Sequence, residues 1–196
     1  MRNPEYTKVT ILEASGKLFN VKGYKATSLS DITNKTGLTK GAIYSHFGNK
    51  ATLEKEALKY MIQKMFSIMG QQIKAKKTAP EKLKAIFSFY KQYTSNEPIH
   101  GGCPMFNAAV EADDAHPELK EVVNNAMKVV HQSCVQIIEK GIKYKQLQQS
   151  TDPVGFATVI FSSLEGAIMF SKMSGDKKYI QQVIQHLESY LEERVM

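Results

Sequence analysis

An all-helical fold is predicted from three observations. Apolar residues recur at three- and four-residue steps along nearly the whole chain, and no window alternates apolar and polar residues with β-branched enrichment. The breaks between periodic segments fall at Gly, Pro, Ser, Thr and Asp residues that start or stop helices. The expected organisation is an N-terminal three-helix head at residues 1–50, whose connecting helix begins at 51 and belongs partly to the head to about residue 60. A larger helical body follows at residues 51–196.

In the first segment Val9, Leu12, Ala14, Leu18 and Phe19 form one apolar face, and Gly23 ends a helix running from about Glu5 to Lys22. Thr27 and Ser28 can cap a second, short helix, with Asp31 in its first turn, where negative charge is favoured, and Gly37 at its end. Thr39 is a natural N-cap for a third helix reaching Phe47. After the break Gly48-Asn49-Lys50, Leu53, Ala57, Tyr60, Met61, Met65, Ile68 and Met69 mark a long helix from Ala51 to about Lys74.

A polar linker leads to Pro80, which suits the first turn of a helix with Leu83, Ile86, Phe87 and Tyr90 on its apolar face. Residues 95–102 form the clearest loop, followed by a short helix from Pro104 to about Ala112 and a long one from Pro117 towards Lys145. Asp152-Pro153 opens a helix that is apolar on almost every side to Phe170, and so must be covered on every side. The last helix, from about Asp176, carries Tyr179, Ile180, Val183, Ile184, Leu187, Tyr190 and Leu191.

With 42% hydrophobic and 23% charged residues, the chain has the balance of a folded globular protein and not of a disordered one. The start lacks the pattern of a secretory or mitochondrial leader, and Ser162, Ser163 and Glu165 interrupt the most apolar window, so a cytoplasmic protein without a membrane span is expected. Cys103 and Cys134 are isolated and read as reduced structural thiols. Residues 1–50 contain eight Lys/Arg and three Asp/Glu, a net of 8 − 3 = +5 out of +7 for the whole chain. That local excess suits a phosphate backbone or an anionic surface.

Two short helices separated by about three residues that include a glycine have the form of a helix-turn-helix, in which the first helix braces a second that enters the DNA major groove. Ile32, Leu38, Ile43 and Phe47 can supply its buried contacts. The residues around it extend the pattern: Gly23-Tyr24-x-x-Thr27-Ser28-Leu29-x-x-Ile32, then Thr36-Gly37-Leu38-Thr39-Lys40-Gly41-Ala42-Ile43-Tyr44-x-His46-Phe47-x-x-Lys50-x-x-Leu53. Over residues 5 to 60 this resembles the DNA-binding head of the tetracycline-repressor (TetR) family. Residues 75 to 196 resemble the family only in length and helical layout. Thr33 stands where the family more often has alanine.

The resemblance implies that Thr39, Lys40, Gly41, Ala42, Tyr44, Ser45 and His46 lie on or beside the recognition helix. Thr39, Lys40, Ser45 and His46 carry donors for base edges or phosphates, while Gly41 and Ala42 let the helix sit deep. Tyr44 suits phosphate, and Thr27, Ser28 and Lys50 place donors near helix N-termini that favour anions. The resemblance further implies a pocket in the body for a small, mostly apolar effector, with candidates Met65, Phe66, Met69, Phe87, Tyr90, Tyr93, Met105, Phe106, Phe161 and Met169, all of which helical spacing also explains as core. The helices bounding such a cavity are those around residues 60–70, 83–93, 104–110, 119–140 and 155–170.

The doubly apolar helix at 153–172, with the stripe at 176–194, predicts a two-fold homodimer. His100 and Cys103, with Glu111, Asp113, Asp114 and His116 nearby, have too few convergent ligands to define a metal site, and no cofactor signature or catalytic constellation is present. Glu165, alone among apolar neighbours, needs a partner, a subunit contact or a cavity wall. The function expected is therefore a non-enzymatic, sequence-specific DNA-binding regulator of the TetR type. It would be a repressor acting on a pseudo-palindromic duplex site and released by the effector. A ligand-independent dimeric DNA-binding protein is the alternative, and an enzyme or a basic membrane-surface protein fits less well.

Overall fold

The computed structural model describes residues 4–112 and 116–195. Its α-helices run in the order α1 (Pro4–Lys22), α2 (Leu29–Thr36), α3 (Lys40–Phe47), α4 (Lys50–Lys74), α5 (Ala79–Lys91), α6 (Pro104–Ala112), α7 (Pro117–Lys143), α8 (Pro153–Ser174) and α9 (Lys178–Glu192). One turn of 3-10 helix, Gln92–Thr94, follows α5. The described residues hold no strand beyond an isolated antiparallel bridge between Leu147 and Val195.

The boundaries follow from local chemistry. Thr78 and Glu81 form a reciprocal capping box at the start of α5, with Pro80 in the first turn, and Asp152 accepts from the Val154 N–H at the start of α8. Two ends differ from the expectation. α7 stops at Lys143 because Lys145 takes a left-handed conformation, φ 55°, and the Gln146 and Leu147 N–H groups both turn back to the Gly141 carbonyl. α9 begins at Lys178, since Asp176 stands before the helix and accepts the Lys178 N–H at 2.9 Å.

The chain divides into two compact units, Met1–Met65 with Ile99–Ala126, and Phe66–Pro98 with Met127–Met196. This division differs from a cut at residue 50, because α6 packs on α1 and is held there by polar contacts between residues 80 or more positions apart. Periodicity along one helix carries no signal for such a contact.

In the first unit Ile11, Leu12, Phe19, Ile32, Ile43, Phe47, Leu53 and Leu58 are buried. At Gly16 a Cβ would lie 2.6 Å from Met61 Cγ, so α1 and α4 approach too closely there for a side chain. In the second unit α8 packs on α9 and α5, burying Phe156, Ile160, Leu164, Ile180, Ile184, Leu187 and Leu191. The Tyr190 ring lies 4.8 Å from that of Phe156 and carries the Arg194 guanidinium 3.3 Å from its centre. Glu165 is paired, accepting the Tyr90 hydroxyl at 2.8 Å.

The apolar stripe of α9 is spent inward, and Gln181, Gln182, Gln185, His186 and Ser189 face outward. α8 keeps a second apolar side in the open: Val154, Val159, Phe170 and Met173 are more than half exposed. By length and composition alone α8 is apolar enough to cross a membrane, and Phe156, Ile160 and Leu164 on it are buried within the second unit.

Candidate nucleic-acid interface

The bracing helix α2 has eight residues, too few to persist without its ends secured. Ser28 Oγ accepts the Asp31 N–H, and the Asp31 carboxylate accepts the Ser28 N–H at 2.8 Å and its hydroxyl at 2.6 Å. Lys22 reaches the same carboxylate at 2.7 Å. The Lys22 ammonium first, and the Ser28 donors next, hold the Asp31 carboxyl well below the usual carboxylate range. The helix ends at Gly37, whose φ of 68° permits the sharp turn and whose N–H returns to the Thr33 carbonyl at 2.8 Å.

The turn is Gly37-Leu38-Thr39, and Thr39 caps α3 by accepting the Ala42 N–H at 3.2 Å. On α3, Ile43 and Phe47, one turn apart, are buried, while Lys40, Gly41, Tyr44 and Ser45 are exposed and Ala42 and His46 half-buried. Ser45 donates to the Ala42 carbonyl at 2.8 Å and retains its acceptor lone pairs. At Gly41 an added Cβ would meet nothing nearer than Thr39 Oγ1 at 3.9 Å. The protein's own packing therefore gives no reason for a glycine in the first turn of α3.

Two of the expected contacts are engaged elsewhere. Thr27 is fully buried, its hydroxyl donating to the Gly23 carbonyl at 2.7 Å, so it braces the α1–α2 turn and is not available to a phosphate. Lys50 donates to the Tyr24 carbonyl at 3.0 Å and pairs with Glu54 at 3.1 Å, tying the start of α4 to that same turn. Ser28 remains exposed at the α2 N-terminus.

Other residues of the head's support carry no local signal in the sequence. Glu111 on α6 accepts the Tyr24 N–H at 2.9 and 3.1 Å and the Lys25 N–H at 3.2 Å. Asn20, nearly buried, donates to the His100 and Gly102 carbonyls, and Asn107 donates to the Asn20 backbone and side-chain oxygens and to the Gly101 carbonyl. Gly101, at φ 92°, is required, because a Cβ there would lie 2.8 Å from Val21 Cγ2. A polar residue beside Phe19 on the buried side of α1, together with a Gly-Gly loop, is the only hint the sequence offers. Tyr24 stacks on Phe19 at 5.0 Å, and burial first, then the Glu111 charge, pushes its hydroxyl pKa far up.

The second unit contains a cavity of about 570 Å³ among α4, α5, α7 and α8. Of the pocket candidates, Phe66, Met69 and Phe161 stand on its wall. Phe87, Tyr90 and Tyr93 do not, and Tyr90 and Tyr93 form an aromatic cluster with Phe89. Met169 is exposed, and Met65, Met105 and Phe106 belong to the first unit, so the α6 segment at 104–110 adds nothing to this wall. Among the described residues no three His, Cys, Asp or Glu side chains converge as metal ligands; Asp113 and Asp114 lie outside the described residues.

Residues 11–57 match the family of bacterial regulatory proteins, tetR family, and residues 79–187 match the tetracyclin repressor-like C-terminal domain. A TetR transcriptional regulator from Chloroflexus aurantiacus J-10-FL superimposes with a TM-score of 0.95 at 29% identity, over 100% of this chain and 98% of that one. A TetR-family regulator from Cytophaga hutchinsonii does so at 0.92 and 31%, over the same shares. The HTH-type transcriptional regulator YxaF of Bacillus subtilis is 30% identical over 173 residues, 85% of each chain. With a capped helix-turn-helix that leaves one face of its second helix open, and with both parts of the family matched in sequence and fold, this chain belongs to the TetR family of DNA-binding transcriptional regulators.

Proposed function

We propose that this regulator is a cytoplasmic homodimeric repressor that reads a pseudo-palindromic operator with α3 and is released by a small, mostly apolar effector held in the second unit. The observation that carries the reading is Gly41. A glycine inside a helix costs about 1 kcal/mol relative to alanine, and among the described residues no close contact excludes a Cβ at this position. Close approach of an outside surface does, and the exposed Lys40, Tyr44 and Ser45 beside it supply donors for phosphates and base edges.

Lys40 and His46 are assigned to bases, and Tyr44 and Ser28 to the backbone. Thr39 and Ser45 border the contact, and Ala42 is placed against a thymine methyl. Thr27 and Lys50 support the head from within. Dimerisation uses the open apolar side of α8, with the polar outer face of α9 at its rim. Two heads then meet half-sites about 34–36 Å apart.

A gel shift against the DNA upstream of the gene tests the reading. Lys40→Ala and His46→Ala are expected to cost about 1–3 kcal/mol each and to relax preference at particular operator positions. Unchanged affinity and preference in both variants, or a footprint over one asymmetric half-site, removes α3 as the reading helix.

A further inference from the structure

The wall of the second-unit cavity is mostly apolar, with Phe66, Met69, Ile86, Val130, Ile137 and Phe161 among its side chains. Every charge on it has one sign. Lys74, Lys77, Lys82 and Lys140 line it, and no Asp or Glu does. Elsewhere in the unit lysines take carboxylate partners, as Lys84 does with Glu192 at 3.0 Å and Lys178 with Asp176 at 2.9 Å. None of the four cavity lysines has such an ion pair among the described residues. Lys74, Lys77 and Lys140 are exposed, and so is Tyr144 beside them, which places positive charge at an exposed mouth beside a mostly apolar wall.

We infer that this cavity takes an anionic amphiphile, a molecule with an apolar body and one terminal carboxylate or phosphate. The inference rests on the reading that the second unit holds the effector, and it assigns that effector's chemical class. A cavity of about 570 Å³ falls within the range that encloses a small ligand. The apolar body gains from leaving water in proportion to the area it buries. An anionic head remains at the mouth, where it meets several cations without being desolvated. A cationic head at the same place meets three like charges and no lining carboxylate, and a neutral head gains from neither sign.

Gly70 provides a way to close the site. It lies on the cavity wall within α4, and a Cβ added there meets no atom within 4 Å, so the first atom of a larger side chain has open space. Replacing a mid-helix glycine also raises helix propensity, which protects the fold of the variant.

The test is calorimetric titration of the full chain with a matched ten-carbon series below micellar concentrations: decanoate, decyl phosphate, decanol and decyltrimethylammonium. Decanoate or decyl phosphate is expected to bind about tenfold or more tighter than decanol, with no binding of the ammonium compound, and the ranking of the two anions identifies the preferred head. Lys74→Gln with Lys140→Gln is expected to bring the better anion to within about threefold of decanol, as is raised salt acting on these exposed charges. Gly70→Leu is expected to weaken every member about tenfold or more at an unchanged or higher unfolding temperature.

The inference is overturned if decanol or the ammonium compound binds as tightly as the anions, or if no member binds. Indifference of the anion preference to the lysine pair, or of binding to Gly70→Leu, overturns it equally. A gel shift with the same ligands separates the two readings. An anion that binds yet leaves the operator complex intact refutes effector control while the cavity assignment stands. Release by a neutral or cationic compound through a Gly70→Leu-sensitive site does the reverse.

Discussion

Between Leu29 and Phe47 two eight-residue helices expose most of their surface, whereas α8 and α9 bury a leucine- and isoleucine-rich seam against each other. The short pair survives on polar detail: the Ser28–Asp31 box, the left-handed Gly37, the Thr39 cap and a few fully buried side chains such as Ile32 and Ile43. The long pair is capped too, by Asp152 at the start of α8 and a left-handed Gly175 at its end, but adds a packed seam that the short pair lacks. α9 has no side-chain hydrogen bond at its N-cap, and its order comes from Ile180, Ile184, Leu187 and Leu191. A reading head must keep its surface for another molecule, so its stability comes from its ends and from a clasp behind it. The long pair is free to spend side chains on packing.

The contrast predicts a ranking of mutational costs. Leu164→Ala, at a fully buried site on α8, is expected to cost the most, about 2–5 kcal/mol in chemical denaturation. Next comes Asn20→Ala, expected at about 2–3 kcal/mol, because it removes the buried amide that bonds the His100 and Gly102 carbonyls. Protection of head amides from hydrogen exchange should fall with it, and a cost near zero would mean that the clasp is incidental. Thr39→Ala removes only a cap and should cost about 1 kcal/mol. A larger loss there than at Leu164 would reverse the ranking.

The smallest effect is one of pH. The folded-state pKa of Asp31 is depressed below its ordinary value near 3.8, so its stabilising contribution is complete above that value and is lost only as the pH falls through the lower, folded one. The Ser28 amide resonance, bonded to this carboxylate, should titrate with a midpoint below that of a free aspartate, and Asp31→Asn should abolish the titration. Because the pair is exposed, high salt should shift the midpoint back towards the ordinary value.

The same contrast explains what could be read from the sequence. Caps and turns are local, so Ser28, Gly37, Thr39, Pro80 and Asp152 marked helix boundaries correctly to within a residue or two. The fate of a polar side chain is not local. Thr27 and Lys50 read alike as phosphate donors, whereas in the fold Thr27 is buried on the Gly23 carbonyl and Lys50 bonds the Tyr24 carbonyl and Glu54. Periodicity also says that a residue is buried without saying against what, which is why Phe66, Met69 and Phe161 reached the cavity wall while Tyr90 and Tyr93 joined a cluster with Phe89. α8 shows the remaining gap: its sequence announces two apolar sides, but only the fold reveals that Phe156, Ile160 and Leu164 take one and Val154, Val159 and Phe170 the other.

The carboxylate of Glu111, resting on the Tyr24 and Lys25 amides from 86 and 87 positions away, has a consequence for chain growth and for engineering. As the chain leaves the ribosome, the head's three helices emerge long before the residues that fasten their first turn, and the finished unit must wait for the segment near 99–112. A grafted head cut at residue 50 or 65 leaves that fastening behind. To transplant the operator specificity of this protein onto a foreign body, the recipient must also receive Asn107, Glu111 and the Gly101-Gly102 bend.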